Sequence, residues 1–184
     1  RATHSTGCIA SRSHTTARTT DLSFRLITAL TAHAGIEQDL TAVDDDQLAM
    51  IARWTGLYRE FRPLLHSGRV VNADLAADAT SLAGVISQDG SHALFTWSRV
   101  GTSAAGQSGR VRFPGLDAAS RYEVSIRDDL GAASRHQGDG PDWVDQAAVT
   151  ALALPGSVIV DAGLPLPTLN PQQAMLIEVR RTHD

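Results

Sequence analysis

Close to residue 66 the hydrophobic period of this chain changes, and that change limits the folds open to it. Ahead of it, Leu48, Ile51, Trp54, Tyr58, Phe61 and Leu65 recur at steps of three and four, the spacing of one helix face. Asp44 followed three residues later by Gln47 is a capping-box pattern, and the acids Asp44, Asp45 and Asp46 stand where the positive end of a helix dipole favours them. The spacing predicts a helix over 44–66, released by Gly68. Behind the change the apolar residues come in short runs separated by Gly, Pro, Asn and Asp, which is the grammar of strands and turns.

Upstream, residues 1–20 are rich in Ser and Thr without a sustained period and read as loop. Leu22, Leu26, Ala29 and Leu30 then predict a helix over 21–34, with Asp21 or Thr20 as its cap and Gly35 as its stop. Residues 36–40 are short and alternating, and predict one strand. A single strand cannot make a sheet alone. A helix striped with Trp54, Tyr58 and Phe61 must also bury that face, at roughly 1.5 to 3 kcal/mol per large side chain. Both features point to partners outside the chain, with self-association to form a homo-oligomer as a further expectation.

Downstream, strands are predicted at 69–72 and 82–87, then at 91–100 beyond the Gln88-Asp89-Gly90 turn, with Ala93, Phe95 and Trp97 on one side. Segments 110–113 and 121–126 flank Pro114-Gly115-Leu116-Asp117 and read as a second hairpin. The Gly- and Pro-bearing stretch 128–145 reads as a long excursion or weak strands. Segments 149–154, 158–160 and 174–179 complete the set, with 164–171 irregular. About eight short strands separated by turns argue an antiparallel sandwich.

Charge and composition narrow the chemistry. The net charge is −4 with no long block of one sign, which disfavours nucleic acid as a partner. All 16 basic residues are arginine, so no lysine is available for a Schiff base or a P-loop. No run approaches the roughly 18 apolar residues of a membrane span, and no membrane partner is expected. The sequence begins at Arg1 rather than Met, which fits either a processed chain or an excised piece of a longer one, and leaves room for a targeting segment upstream. The single cysteine, Cys8, rules out an internal disulfide framework. It leaves the compartment open, with the cytoplasm as the expectation.

His4, Cys8, His14 and His33 are potential metal ligands in no recognisable zinc spacing, so neither a metal nor any other cofactor is expected. Asp44, Asp45 and Asp46 are explained by the cap rather than by acid/base work. Asp139, Asp142 and Asp145 lack the order of a calcium loop. No G-x-S-x-G elbow and no phosphate cradle is present. Trp97 alternates with Phe95 and belongs to the core, whereas Trp143, read as a loop residue, is the better candidate to stack on a sugar ring.

Four runs carry a family resemblance: S-H-T-T-A-R-T-T-D-L-S-F-R from Ser13, H-A-G-I-E-Q-D-L from His33, L-Y-R-E-F-R-P-L-L-H-S-G-R-V-V from Leu57, and L-N-P-Q-Q-A-M-L-I-E-V-R from Leu169. In that order they resemble the C-terminal part of the α-galactosidases of glycoside hydrolase family 36. The resemblance implies an α+β fragment, with the last strand and helices of a (β/α)8 barrel in 1–66 and an antiparallel β-sandwich in 67–184. It also implies a parent enzyme that hydrolyses terminal α-linked galactose with retention, using two aspartates placed upstream of the matching region. Neither has a counterpart in this chain, so no catalytic residue is expected and the chain alone should be inactive. Its partner would be the missing N-terminal part of the same enzyme, and a galactoside substrate would be met only through the full-length protein. Residues 1–20 would be a barrel loop at the active-site face. The family often has Asn-His-Gln-Thr before its arginine, where this chain has Ser13-His14-Thr15-Thr16-Ala17-Arg18. His14 and Arg18 are therefore the substrate-binding candidates, with holding the loop as their alternative role. The rival reading is a non-catalytic carbohydrate-binding or structural β-sandwich module.

Overall fold

The computed structural model of the chain describes residues 20–31, 36, 40–75, 79–102, 109–138 and 140–182. Three helices, α1 (Leu22–Leu30), α2 (Asp45–Ser67) and α3 (Asp142–Val149), accompany eight strands. These are β1 (Arg69–Asn72), β2 (Thr80–Ile86), β3 (His92–Arg99), β4 (Arg110–Val111), β5 (Arg121–Arg127), β6 (Leu152–Pro155), β7 (Leu164–Pro165) and β8 (Gln173–Arg181). A six-stranded sheet runs in the order β1-β2-β3-β8-β5-β6, every neighbouring pair antiparallel, and β4 with β7 makes a separate two-stranded sheet. The chain is thus mostly antiparallel sheet with a few helices.

Both faces of the large sheet are covered, which is why β3 and β8 are each buried at six consecutive positions. Alternation sends Ala93, Phe95 and Trp97, with Met175, Ile177 and Val179 opposite them in register, into one core. That core is closed by the small sheet, by Phe113 and Ile159, and by Val144 of α3. The complementary residues Leu94, Ala174 and Leu176 face the other way and meet α1 and α2.

The predicted main helix forms, and its Asp44 carboxylate accepts a hydrogen bond from the Gln47 amide at 2.8 Å, satisfying one of the free donors at the helix start. Its stripe is not bare, contrary to the expectation that it would need partners outside the chain. Ile51, Trp54, Leu57, Phe61 and Leu64 are buried against α1 and the sheet, while Tyr58 and Leu65 fall to the rim and Leu48 is exposed. The Trp54 indole N–H donates to Leu26 O at 2.8 Å, joining α2 to α1. Asp21 makes no side-chain cap on α1; its carboxylate instead accepts from Gln173 Nε2 at 2.7 Å, tying α1 to β8.

Four further expectations are corrected. Leu40, expected to end a strand, opens a 3-10 turn at Leu40–Ala42; the rest of that expectation, 37–39, lies outside the described residues. The segment 110–113 does not pair with 121–126. Phe113 is fully buried edge-on to Phe95, with centroids 4.9 Å apart, and this draws its segment over the face of the sheet, where β4 meets β7. Residues 158–160 form a π-helical turn, Val158–Ala162, because buried Ile159 offers its carbonyl to the Phe113 amide rather than to a strand edge. In the excursion 128–145, α3 begins at Asp142 and runs on to Val149, which is 87% exposed, so β6 starts only at Leu152. A short apolar run cannot be assigned to helix or strand by period alone.

Candidate functional site

Two places among the described residues are candidates for a site. The first is built on β8, where Glu178 is the one buried acidic residue among those described. Strand alternation places it on the helix-covered face, beside Leu176. Its Oε1 accepts from His92 Nε2 at 2.9 Å and from Arg180 Nε at 2.5 Å, and its Oε2 accepts from Arg127 at 3.0 Å. Arg127 also grips Glu60 of α2 through two hydrogen bonds, at 2.6 and 2.8 Å, and Asp129 at 3.0 and 3.1 Å. Its guanidinium lies 5.1 Å from the centre of the Phe61 ring, a cation–π distance.

Burial pushes the Glu178 carboxyl up, but the hydrogen bonds from His92, Arg127 and Arg180 outweigh it and hold the group at about 2. A general acid or base needs a value close to its working pH, and Glu178 is far from that. Three carboxylates meet here, and Arg127 binds all of them. The arrangement fastens α2 to the sheet.

The second place is an open cleft of about 690 Å3 between the run 72–75, the stretch 110–114 and the π-helical turn. Its lining mixes the apolar Leu75, Val111, Phe113 and Val160 with Asn72, Asp74, Arg110 and Arg112. Arg110 donates to Gly163 O at 2.9 Å, which holds the π-helical turn against β4. Gly163 has φ +74°, and a Cβ there would lie 2.9 Å from the Val111 backbone, so the tight closure requires glycine.

The sequence candidates are placed as follows. His14 and Arg18, and likewise His4, Cys8, His33 and Asp139, lie outside the described residues. Among the described residues no group of three side chains is arranged to hold a metal ion, and no helix is long and apolar enough to cross a membrane. Asp145 is paired with Arg135 at 2.7 Å, and Asp142 stands in the first turn of α3. Trp97 is core, its indole N–H donating to Pro167 O at 2.9 Å. Trp143 is on a helix rather than in a loop. It is half-buried against the core, and its N–H is given to Pro165 O at 2.8 Å, which removes the polar handle a sugar platform would use. The Glu178 network escaped notice, although the run Ala174 to Val179 puts an acid on the same face as Leu176, a signal that alternation could have raised.

Known proteins share this chain's sequence and shape. Residues 80–179 match the family model described as the glycosyl hydrolase family 36 C-terminal domain. An α-galactosidase of Escherichia coli is 33% identical over 175 residues, covering 92% of this chain and 24% of that protein. A family 36 α-galactosidase of Geobacillus stearothermophilus, crystallised with raffinose, superimposes with a TM-score of 0.72 at 22% identity, over 96% of this chain and 21% of the other. The α-galactosidase of Lactobacillus brevis gives 0.73 at 20% identity, over 96% and 22%. The chain therefore spans about a quarter of the curated relative that it matches. With the domain model over more than half of its residues and a relative matched along nearly all of them, the chain belongs to glycosyl hydrolase family 36 and carries that family's C-terminal domain.

Proposed function

We propose that this chain works as the C-terminal portion of a longer retaining α-galactosidase, in which 1–66 complete a (β/α)8 barrel and 67–184 form the accessory sandwich. The observation that carries the reading is the reach of the match to the Escherichia coli enzyme. At 92% of the chain it must include most of the residues before 80, where the C-terminal domain model begins. The helical part is thus shared with that relative as well as the sandwich. The polar cluster around Glu178 agrees with a supporting role, since its carboxylates are neutralised in place and its bonds join a helix of the first part to strands of the second.

In this reading the catalytic aspartates belong to sequence upstream, the chain alone does not turn over substrate, and galactosides are cleaved only by the longer protein. The test is hydrolysis of p-nitrophenyl α-galactoside by the 184-residue chain and by the protein encoded by its complete reading frame. Turnover by the longer protein alone is the expected result. Turnover by the chain alone, or a reading frame with no barrel ahead of Arg1, overturns the proposal.

A further inference from the structure

Exposed polar side chains are ordinary on any surface; three of them around one cleft, all without side-chain partners among the described residues, are not. Asn72, Asp74 and Arg112 line the cleft beside β4. None of them has a side-chain hydrogen bond or ion pair to another described residue, in contrast to Arg110, Arg127 and Arg135 nearby in the chain. The cleft's volume, about 690 Å3, falls within the range of small-molecule sites, and its lining is about equally polar and apolar. One wall is a π-helical turn, a conformation frequent at functional sites. That wall is fixed before any ligand arrives by the Arg110 bond to Gly163 O and by the close approach at Gly163.

From these features we infer that the cleft binds a neutral saccharide at a place separate from any catalytic centre. The chemistry of the three groups selects the ligand class. A carboxylate only accepts hydrogen bonds, a guanidinium only donates them, and an amide does both. An anion such as phosphate would pair with Arg112 but face the charge of Asp74. A metal cation would suit Asp74 but face Arg110 and Arg112. A ring of vicinal hydroxyls, each donor and acceptor at once, satisfies all three, while its C–H face lies on Leu75 and Val160. The choice of saccharide rests on the proposed reading of the parent enzyme as a galactosidase, whose substrates would supply such rings. The cleft would then hold a sugar without cleaving it.

The experiment is a titration of the isotope-labelled 184-residue chain with raffinose, with galactose and with inorganic phosphate, followed by amide chemical shifts. Saturable shifts with either sugar, in the millimolar range and centred on residues 72–75 and 110–114, are expected. Arg112→Ala and Asp74→Asn should each weaken sugar binding by about tenfold, the loss of one charge-assisted hydrogen bond. Both positions are exposed, so unchanged melting temperatures will show that the variants are folded. Absence of saturable shifts with either sugar overturns the inference. So does binding that neither variant weakens, and so does phosphate binding more tightly than sugar. Each of those results leaves the turnover assay of the longer protein untouched, so the site and the enzyme reading fail independently.

Discussion

Glu178 shows how much a single buried charge can organise. Its carboxyl, ordinarily near 4.5, is held at about 2 because three donors outweigh the cost of its burial. A carboxylate depressed in the folded state contributes stability that is complete above its unfolded value and disappears as pH falls through the folded one. Replacing Glu178 with Gln should therefore cost about 3 kcal/mol at neutral pH, since Arg127, Arg180 and His92 then lose a buried partner. That deficit should shrink as pH falls from 4.5 towards 2. Urea denaturation of both proteins across this range measures it, and a deficit independent of pH would contradict the assignment. Little of this was legible in sequence. Alternation along β8 put Glu178 and Arg180 on one face, but its other partners, Arg127 and His92, sit 51 and 86 residues away, beyond any local pattern.

Among the elements, α2 was the most legible and also the most misjudged. Its length, its start and the Asp44 cap follow from local rules, because helix signals lie within a few residues of one another. Which residues it buries was half right. The stripe drawn through Tyr58 and Leu65 is rotated in the structure towards Leu57 and Leu64, because the sheet and α1 together present a broad surface to it. Phe61→Ala should consequently destabilise by about 4 kcal/mol, the ring being fully buried. Tyr58→Ala should cost clearly less, since that ring lies at the rim and its hydroxyl meets the exposed His66. Thermal melts of the two variants compare the positions directly, and equal losses would restore the stripe expected from spacing. The short elements were the least legible. The π-helical turn at Val158–Ala162 and the diversion of β4 to β7 are decided by Phe113 and Ile159 finding one core, which is a tertiary decision that no window of sequence records.

At the scale of the whole molecule, an antiparallel arrangement of about eight short strands was foreseen, but the total agrees only because β7, in a stretch read as irregular, takes the place of 158–160, which is a π-helical turn. Their order was not foreseen, since pairing across long separations leaves no local mark. The candidate site fared similarly. His14 and Arg18 came from family resemblance, whereas the cleft at Asn72, Asp74 and Arg112 joins segments whose nearness only the fold reveals. The strand order has a temporal consequence. β8, at Gln173–Arg181, lies in the middle of the large sheet, between β3 and β5. During synthesis the strands on either side of it must wait, with their apolar faces open, until residues 173–181 have left the ribosome. Deleting 173–184 should therefore yield a chain with no cooperative unfolding transition and strong binding of a hydrophobic dye, and a truncated chain that still melts cooperatively would refute this. A chain lacking residues 173–181 would be without its keystone, and a chaperone that holds nascent β1, β2 and β3 apart would be guarding a vacancy that only β8 can fill.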